Sequence, residues 1–428
     1  MKVTYITAGA GAMHCGACSR DAALARALIA RGCDVLLIPL YTPINVEDGP
    51  PPGTTRTFFG GINVYLQQHV PLFRHTPRLV DRFLDNRPLL NWAGKFAIKT
   101  KAEKLGPMTV SMLRGEEGRQ RKELARLLDF LAGGPAPDVV NLANSLLSGI
   151  VPALRRRIKA RVACTLQGED QFIEDIPEPD GAQVRDLLRR NVREIDLFIA
   201  PSDAYADHMA GFLDVPREKV RTVRTGIEVD RYPPPPRRPR RPFAVGYLSR
   251  ITPEKGLDLL VEAFRTLVLD GREAVLRVAG QTPDARFWDT VRADLRRPEL
   301  AARVEHCDVP DLPAKVRFFQ ACSAVSVPSR RPEVRGTAAI EAMAAGVPVV
   351  VPRSGVFPEL IETTGGGVLF PPGDAERLAA ALAGLMDDPD GADALGLAGR
   401  EGARVHCAAA RMAQRTSELY TDLIEGTN

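Results

Sequence analysis

The stretch PSRRPEVRGTAAIEAMAAGVPVVVP occupies residues 328–352 and is the most informative part of this chain. One apolar run, AVSVP, leads into it, and a second, VPVVV, lies near its end, with a helix-like segment between them. Apolar runs of this length separated by a helix are typical of buried parallel strands, so the pattern predicts a βαβ unit. Glu333 is expected in the loop after the first strand, and Glu341 about one turn into the helix.

The same loop has the chemistry of a ligand site. Open α/β sheets bind ligands at the carboxyl ends of their strands. If Gly336 and Thr337 open the helix, the unpaired amides of its first turn attract an anionic group such as a diphosphate. The two carboxylates accept hydrogen bonds from hydroxyls. Phosphate donors beside hydroxyl acceptors suit a sugar nucleotide.

The rest of the chain alternates between strand-like and helix-like segments in two halves, which predicts an α/β fold with two Rossmann-like, doubly wound domains facing a cleft. We expect an N-terminal domain over residues 1–231 and a C-terminal domain over 243–407, with a last helix at about 408–428 that packs back on the first domain. Between them YPPPPRRPRRP, residues 232–242, reads as a stiff linker, although a basic proline-rich run also suits docking to a partner.

Composition excludes several classes. At 428 residues the chain suits two domains, and a net charge of +4 does not indicate a nucleic-acid partner. Seven cysteines, an odd number in a long chain, favour reduced thiols and a cytoplasmic location. No apolar run approaches the eighteen residues of a membrane span, and the N-terminus is expected to form a strand and not a signal peptide.

Two cations follow the first strand of the C-terminal half. In GYLSRITPEKG, Arg250 and Lys255 are expected in the loop at the carboxyl edge of the sheet, on the side of Glu333. A guanidinium fork and an ammonium point charge both suit a diphosphate. For this loop alone, two solvated surface cations are an equally good interpretation.

Together these motifs resemble the retaining glycosyltransferases of family 4, which have the GT-B fold. The match runs from residue 243 to 390 and consists of separately weak motifs in the family's order: Arg250, Lys255-Gly256, Glu333, Glu341 within EAMAAGVPVV, Phe357-Pro358-Glu359-Leu360-Ile361, Gly365 to Gly367, and Pro372-Gly373-Asp374. One position departs from the pattern, because Arg335 stands where the family usually has phenylalanine. An extra cation near the donor, or a side chain in solvent, would each fit.

The resemblance implies a role for each matching position. Arg250 and Lys255 would bind the donor diphosphate and Glu333 the sugar hydroxyls, and these three would be the catalytic residues. Glu341 would bind the ribose, and the remaining donor-binding positions would be Gly280, Gly336 and Thr337. Such enzymes stabilise the leaving diphosphate with cations and amides, so no cofactor and no metal are expected.

The N-terminal half fits the family less well. Its histidine motifs are replaced by DVVNLAN, residues 138–144, and TLQGED, residues 165–170, so no base is expected there, although front-side attack with retention needs none. A glycine loop follows the first strand. The expected acceptor and phosphate-loop positions are Gly9, Gly11, Gly16, Asn141, Asn144, Gln167, Glu169 and Asp170.

Three further patterns favour ordinary structure. Cys15 and Cys18 beside His14 are too few for zinc and are expected in a tight turn. Asp388-Pro-Asp390 imitates a metal motif but is expected in a peripheral loop. The basic stretch 90–104, with Trp92 and Phe96, is more simply a helix with solvated lysines than a membrane-binding segment, but contact with an anionic membrane remains an alternative.

The sequence therefore predicts a retaining hexosyltransferase of polysaccharide biosynthesis. It would use a nucleotide diphosphate sugar and a carbohydrate or lipid-linked acceptor, in the cytoplasm or at the inner face of the membrane. Two rivals remain open: a sugar-nucleotide epimerase of the same fold, and a non-catalytic sugar-nucleotide-binding protein.

Overall fold

A computed structural model describes residues 1–8, 16–41, 105–235 and 241–426. Within them the chain forms two compact units. The first comprises Met1–Val223 and Met412–Asn428, and the second Arg224–Arg411.

The first unit is built on a parallel sheet with six strands in the described residues, in the order β2-β1-β3-β4-β5-β6. Val3 pairs with Val35 on one side and with Val139 on the other, so the winding direction reverses at β1. Ligands of such sheets bind outside the carboxyl ends of the strands at this point. The strands are β1 Lys2–Thr7, β2 Asp34–Pro39, β3 Val139–Leu142, β4 Arg161–Thr165, β5 Leu197–Ala200 and β6 Val220–Thr222.

Helices alternate with these strands and bury apolar faces. In the first of them, Leu24 and Leu28 are fully buried, as their spacing on one helical face requires. The described helices of this part are α1 Gly16–Ala30, α2 Gly106–Leu113, α3 Arg121–Ala132, α4 Val151–Arg157, α5 Glu169–Glu174, α6 Asp180–Val192 and α7 Asp203–Leu213.

The second unit repeats this plan with the strand order β12-β11-β10-β7-β8-β9, again parallel. Val245 pairs with Ala324 and Val325 with Val349, so the predicted βαβ unit of residues 324–352 is confirmed and its first strand lies beside β7. The strands are β7 Phe243–Leu248, β8 Ala274–Ala279, β9 Val304–His306, β10 Ala324–Ser326, β11 Val349–Pro352 and β12 Gly367–Phe370.

Helices cover the second sheet as well. Tyr247 and Phe264 belong to one hydrophobic core, and Phe319 and Met343 to another. The helices are α8 Leu257–Leu269, α9 Ala285–Leu295, α10 Leu312–Gln320, α11 Thr337–Ala344, α12 Phe357–Thr364, α13 Ala375–Asp387 and α14 Pro389–His406. Two Rossmann-like units with parallel sheets are the predicted fold class, which is thereby confirmed.

The division between the units differs from the predicted boundary at residues 231 and 232. Ile227 donates its N–H to the Cys407 carbonyl at 2.8 Å and accepts from Ala409 at 2.8 Å, which ties residues 224–231 to the second unit. Tyr232 is buried against Phe319. The first residues of the expected linker thus belong to the second unit, because Tyr232 packs there and the Pro233 carbonyl accepts from the Gln320 side chain at 2.8 Å.

The last helix, α15 Ala409–Glu425, starts in the second unit and continues into the first. Its residues Met412 and Tyr420 are buried there. The Tyr420 ring lies close enough to Arg20 and Asp21 for their charges to act on it.

Candidate active site

Two loops of the second unit meet at the carboxyl edge of its sheet. One follows β7 and contains Arg250 and Lys255; the other follows the neighbouring strand β10 and contains Glu333. Arg330, in the second loop, joins them by donating its backbone N–H to the Glu254 carbonyl of the first loop at 2.9 Å. The sequence prediction that these cations and this carboxylate share one edge is therefore what the structure shows.

Lys255 and Glu333 form an ion pair at this edge. Lys255 Nζ lies 2.5 Å from Glu333 Oε2, and the side chains are 19% and 16% exposed. Ser329 Oγ lies 3.4 Å from the same oxygen. Burial raises the pKa of Glu333, but Lys255 and the nearby positive charge of Arg335 outweigh it, so the pKa is lowered and the carboxylate is ionised.

Arg250 is held by its backbone and not by its side chain. The hydroxyl of Tyr247 in β7 donates to the Arg250 carbonyl at 3.1 Å and is 3.5 Å from the Lys255 carbonyl. Tyr247 is fully buried, and burial raises its pKa, so it stays protonated as a donor. The Arg250 guanidinium is exposed and has no hydrogen-bond partner among the described residues. It is thus available to an anion.

Two glycines at this edge have positive φ values, which other residues rarely adopt. Gly280 follows β8 with φ +145°, and a Cβ there would lie 1.7 Å from the Ser249 carbonyl oxygen. Gly336 precedes α11 with φ +62° and is buried. Thr337, half-buried, is the first residue of α11. The first-turn amides of α11 therefore begin at Thr337, four residues after Glu333.

Glu341 lies one turn into α11 and is already engaged. Its Oε1 accepts from the Tyr232 hydroxyl at 2.7 Å and from Lys315 Nζ at 3.0 Å. Sequence reasoning missed both partners. Tyr232 was assigned to the linker, and Lys315 belongs to no motif. The available signal was the scarcity of lysine, because Lys255 and Lys315 are the only lysines after residue 219.

In the first unit, Glu169 and Gln167 hold the end of β4. Glu169 Oε1 accepts from the backbone N–H and the hydroxyl of Ser145, both at 2.8 Å, and Oε2 accepts from the backbone N–H of Gln167 at 2.7 Å. Burial raises the pKa of Glu169 more than these bonds lower it. The Gln167 side chain donates to Asp21 at 3.1 Å and to the Ala143 carbonyl at 2.7 Å. Both side chains therefore have structural partners.

A buried polar network underlies that edge and was not predicted. Asp21 is fully buried and accepts from Tyr5 and Thr7, each at 2.9 Å, while Arg20 donates to the Tyr5 hydroxyl at 2.7 Å. Asn141 is also fully buried, and its side-chain amide donates a hydrogen bond to the Leu142 carbonyl at 3.0 Å. The interior position of Asn141 does not fit the expected role of a hydroxyl binder at the sheet edge.

Of the other expected acceptor-side positions, some lie within the described residues and some outside them. The Asn144 Oδ1 is buried without a hydrogen-bond partner among the described residues, and Gly16 begins α1. Gly9 and Gly11 lie outside the described residues, as do His14, Cys15 and the basic stretch 90–104.

Asp170 has a histidine partner that sequence reasoning left unassigned. Its Oδ1 accepts from Tyr205 at 2.5 Å, and its Oδ2 lies 3.2 Å from His208 Nε2. His208 comes from α7, far from the motif positions where the family has histidine. A histidine is thus brought near the end of β4 by the fold alone.

The discounted patterns have structural roles. Cys18 is buried within the helix α1 and does not lie in the expected tight turn. Asp390 lies in α14 and not in the expected loop, and Asp388 caps this helix by accepting from the Gly391 backbone N–H at 2.9 Å. Within the described ranges, no group of three histidine, cysteine or acidic residues is arranged to hold a metal ion. A search of the same residues finds no helix long and apolar enough to cross a membrane.

Family models match both units. One, for a glycosyl transferase 4-like domain, matches residues 19–226, and the other, for glycosyl transferases group 1, matches residues 229–402. The chain belongs to the group 1 glycosyltransferases. The predicted family resemblance is confirmed.

Individual relatives agree with this assignment. The chain is 30% identical over 248 residues to D-inositol 3-phosphate glycosyltransferase of Saccharomonospora viridis, covering 54% of this chain and 56% of that protein. It is 27% identical over 273 residues to the GDP-mannose-dependent alpha-(1-6)-phosphatidylinositol monomannoside mannosyltransferase of Mycolicibacterium smegmatis, covering 60% and 69%. The chain thus spans little more than half the length of the first relative.

Solved structures show the same fold. Anabaena HepE in complex with UDP matches with a TM-score of 0.68 and 17% identity, over 99% of this chain and 100% of that one. The two units of this chain therefore have the folds of the two Rossmann-like domains of GT-B glycosyltransferases.

Proposed function

We propose that this protein transfers a hexose from a nucleotide diphosphate sugar to a hydroxyl acceptor with retention of configuration. The observation that supports this most is the Lys255–Glu333 ion pair at the carboxyl edge of the second sheet, beside the N-terminus of α11. It combines a phosphate-binding cation with a hydroxyl-accepting carboxylate, which is the pair of functions that a sugar diphosphate requires.

In this proposal the donor diphosphate binds Arg250, Lys255 and the first-turn amides of α11. The exposed Arg250 guanidinium supplies a planar fork, and the amides after Gly336 supply the positive end of the helix. These groups stabilise the charge that grows on the diphosphate as it leaves, without a bound metal. Lys255 then serves two partners, the diphosphate and Glu333.

The reaction is a displacement on one face of the sugar. The bond between C1 and the phosphate oxygen breaks, and a bond between C1 and the acceptor oxygen forms on the same face. The acceptor proton passes to the departing diphosphate, so no protein base is required. Glu333, ionised and held by Lys255, contacts the sugar hydroxyls and stabilises the positive charge that develops at C1.

The acceptor in this proposal is a glycan or a lipid-linked sugar. The M. smegmatis relative is named for a lipid acceptor, a phosphatidylinositol monomannoside. We therefore propose a cytoplasmic enzyme that works either in solution or in peripheral contact with an anionic membrane. Cosedimentation with phosphatidylglycerol vesicles, compared with phosphatidylcholine vesicles, distinguishes the two.

A donor panel followed by product analysis tests the function. UDP-glucose and GDP-mannose are the first donors to test, since UDP and GDP-mannose occur in the names of the relatives. A rise in melting temperature identifies the donor that binds. Release of free nucleoside diphosphate with a glycosylated acceptor or free sugar supports the transferase. An epimerised donor, or binding without any product, would support one of the two rivals.

A further inference from the structure

The two carboxylates Glu333 and Glu341 are each held by a different lysine. Lys255 pairs with Glu333 at 2.5 Å and Lys315 with Glu341 at 3.0 Å. Apart from these two lysines and two histidines, the basic residues after residue 219 are arginines. A lysine ammonium is a compact point charge that fits beside one carboxylate oxygen, whereas an arginine fork would engage both oxygens.

The partners of Glu341 occupy one of its two oxygens. Both Tyr232 and Lys315 bind Oε1. Oε2 has no hydrogen-bond partner within the described part of the chain, and 11% of the side chain is exposed. One oxygen is therefore fixed by protein donors while the other stays free to accept a hydrogen bond from a ligand.

Tyr232 is itself fixed. Its ring packs on Phe319, with centroids 6.3 Å apart, and its carbonyl accepts from Arg400 at 2.7 Å. Arg400 also donates to the carbonyl of Ala344 at the end of α11. The tyrosine is thus anchored to the same helix that carries Glu341, so the carboxylate is held in one orientation before any ligand binds.

We propose that Lys315 and Tyr232 are positioning residues that present Glu341 Oε2 to the ribose of the donor, and that this arrangement makes the site select ribonucleotides over 2′-deoxyribonucleotides. The inference rests on the proposed function, and it takes from the family resemblance that Glu341 is the residue that binds the ribose. A carboxylate that is already oriented loses little freedom on binding, so its hydrogen bond to the ribose counts almost fully toward affinity. Without the two donors, Glu341 can turn away from the sugar.

Calorimetry with UDP, GDP and ADP and with their 2′-deoxy counterparts tests the inference. For the nucleotide that binds most tightly, the wild-type protein should prefer the ribo form by about tenfold or more, as expected for a hydrogen bond to a charged group. Lys315→Met and Tyr232→Phe should each reduce this preference to less than about threefold, while the affinity for the deoxy form changes little. Lys315→Arg, which keeps the charge, should restore part of the preference.

The control is Arg265→Met, which removes a cation of the same unit that pairs with Glu299 at 2.7 Å. The preference of this variant for the ribo form over the deoxy form should equal that of the wild-type protein. If Glu341→Gln abolishes the ribose preference while both Lys315→Met and Tyr232→Phe retain it, the inference fails and the proposed ribose contact stands. If Glu341→Gln retains the preference too, the ribose contact itself is wrong. If none of the three nucleotides binds to the wild-type protein, the proposed function fails and the inference fails with it. Tyr232→Phe keeps the ring packing, so it remains informative if Lys315→Met unfolds.

Discussion

Replacing Lys255 by methionine separates its structural role from its proposed role in phosphate binding. Its ion pair with Glu333 is 2.5 Å long and largely buried. A charge-assisted hydrogen bond contributes about 1.5–3 kcal/mol, and removing one partner leaves the other charge poorly solvated. Ser329 and the positive charge of Arg335 remain near Glu333, so we expect the free energy of unfolding to fall by about 2–3 kcal/mol.

The double variant Lys255→Met with Glu333→Gln gives the decisive comparison. It leaves no buried charge, so stability should return to within about 1 kcal/mol of the wild type. Nucleoside diphosphate binding should not return, because the cation for the phosphate is still missing. Recovery of both properties would refute the reasoning, since Lys255 would then act only by neutralising Glu333.

The assay can report on the second unit alone. The chain has two tryptophans, so a Trp92→Phe background leaves Trp288, which packs against the core of the second unit. Urea unfolding followed by its fluorescence measures stability, and calorimetry with UDP, GDP and ADP measures binding. The pKa of Glu333 is lower in the folded protein than in the unfolded chain, where it is about 4.3. Ionised Glu333 therefore stabilises the fold above pH about 4.3, and this contribution is lost as the pH falls through the pKa of the folded state. Lys255→Met should weaken that acid dependence.

Four further outcomes are expected. Arg250→Ala should weaken nucleoside diphosphate binding at least about tenfold, because it removes a charge-assisted hydrogen bond. The melting temperature of the protein should not fall, since Arg250 is exposed. Unchanged affinity in calorimetry would contradict the assignment of Arg250 to the phosphate. Glu333→Gln should mainly lower kcat and Glu341→Gln mainly raise the KM for donor, since only the first contact strengthens in the transition state; steady-state kinetics with near-native turnover for Glu333→Gln would contradict this. Transfer should survive EDTA, and loss that magnesium or manganese restores would argue for a metal. Gly280→Ala should destabilise the fold by more than about 1 kcal/mol, because the new Cβ would meet the Ser249 carbonyl and φ is positive; an unchanged urea midpoint would show that the loop gives way.

The sequence predicted the fold and the placement of Lys255 and Glu333 at one edge of the sheet because both follow from topology. Apolar runs define parallel strands, and the loops that leave adjacent strands β7 and β10 must share an edge. No local pattern, in contrast, encodes the partners of Glu341. Tyr232 stands 109 residues before it, in a run whose prolines suggested a linker, and its burial depends on the packing of the whole second unit.

The orientation of polar side chains was also not predictable from the sequence. Asn141 and Gln167 were placed correctly at or near strand ends, but their side-chain amides donate to protein partners, the Leu142 carbonyl and Asp21 respectively. Whether a polar side chain at a strand end serves a ligand or the interior depends on what lies behind it. His208 likewise reaches Asp170 because α7 lies near α5, and no sequence motif predicts that proximity.

The most direct test of the account is the stereochemistry of donor turnover. The sugar nucleotide that raises the melting temperature most, with an α-linked sugar labelled with ¹³C at C1, is incubated with the enzyme and followed by time-resolved NMR, with water as the acceptor. Retaining transfer predicts free nucleoside diphosphate together with the α-anomer of the free sugar before mutarotation. Initial formation of the β-anomer would contradict retention, and an epimerised nucleotide sugar without diphosphate release would contradict glycosyl transfer itself.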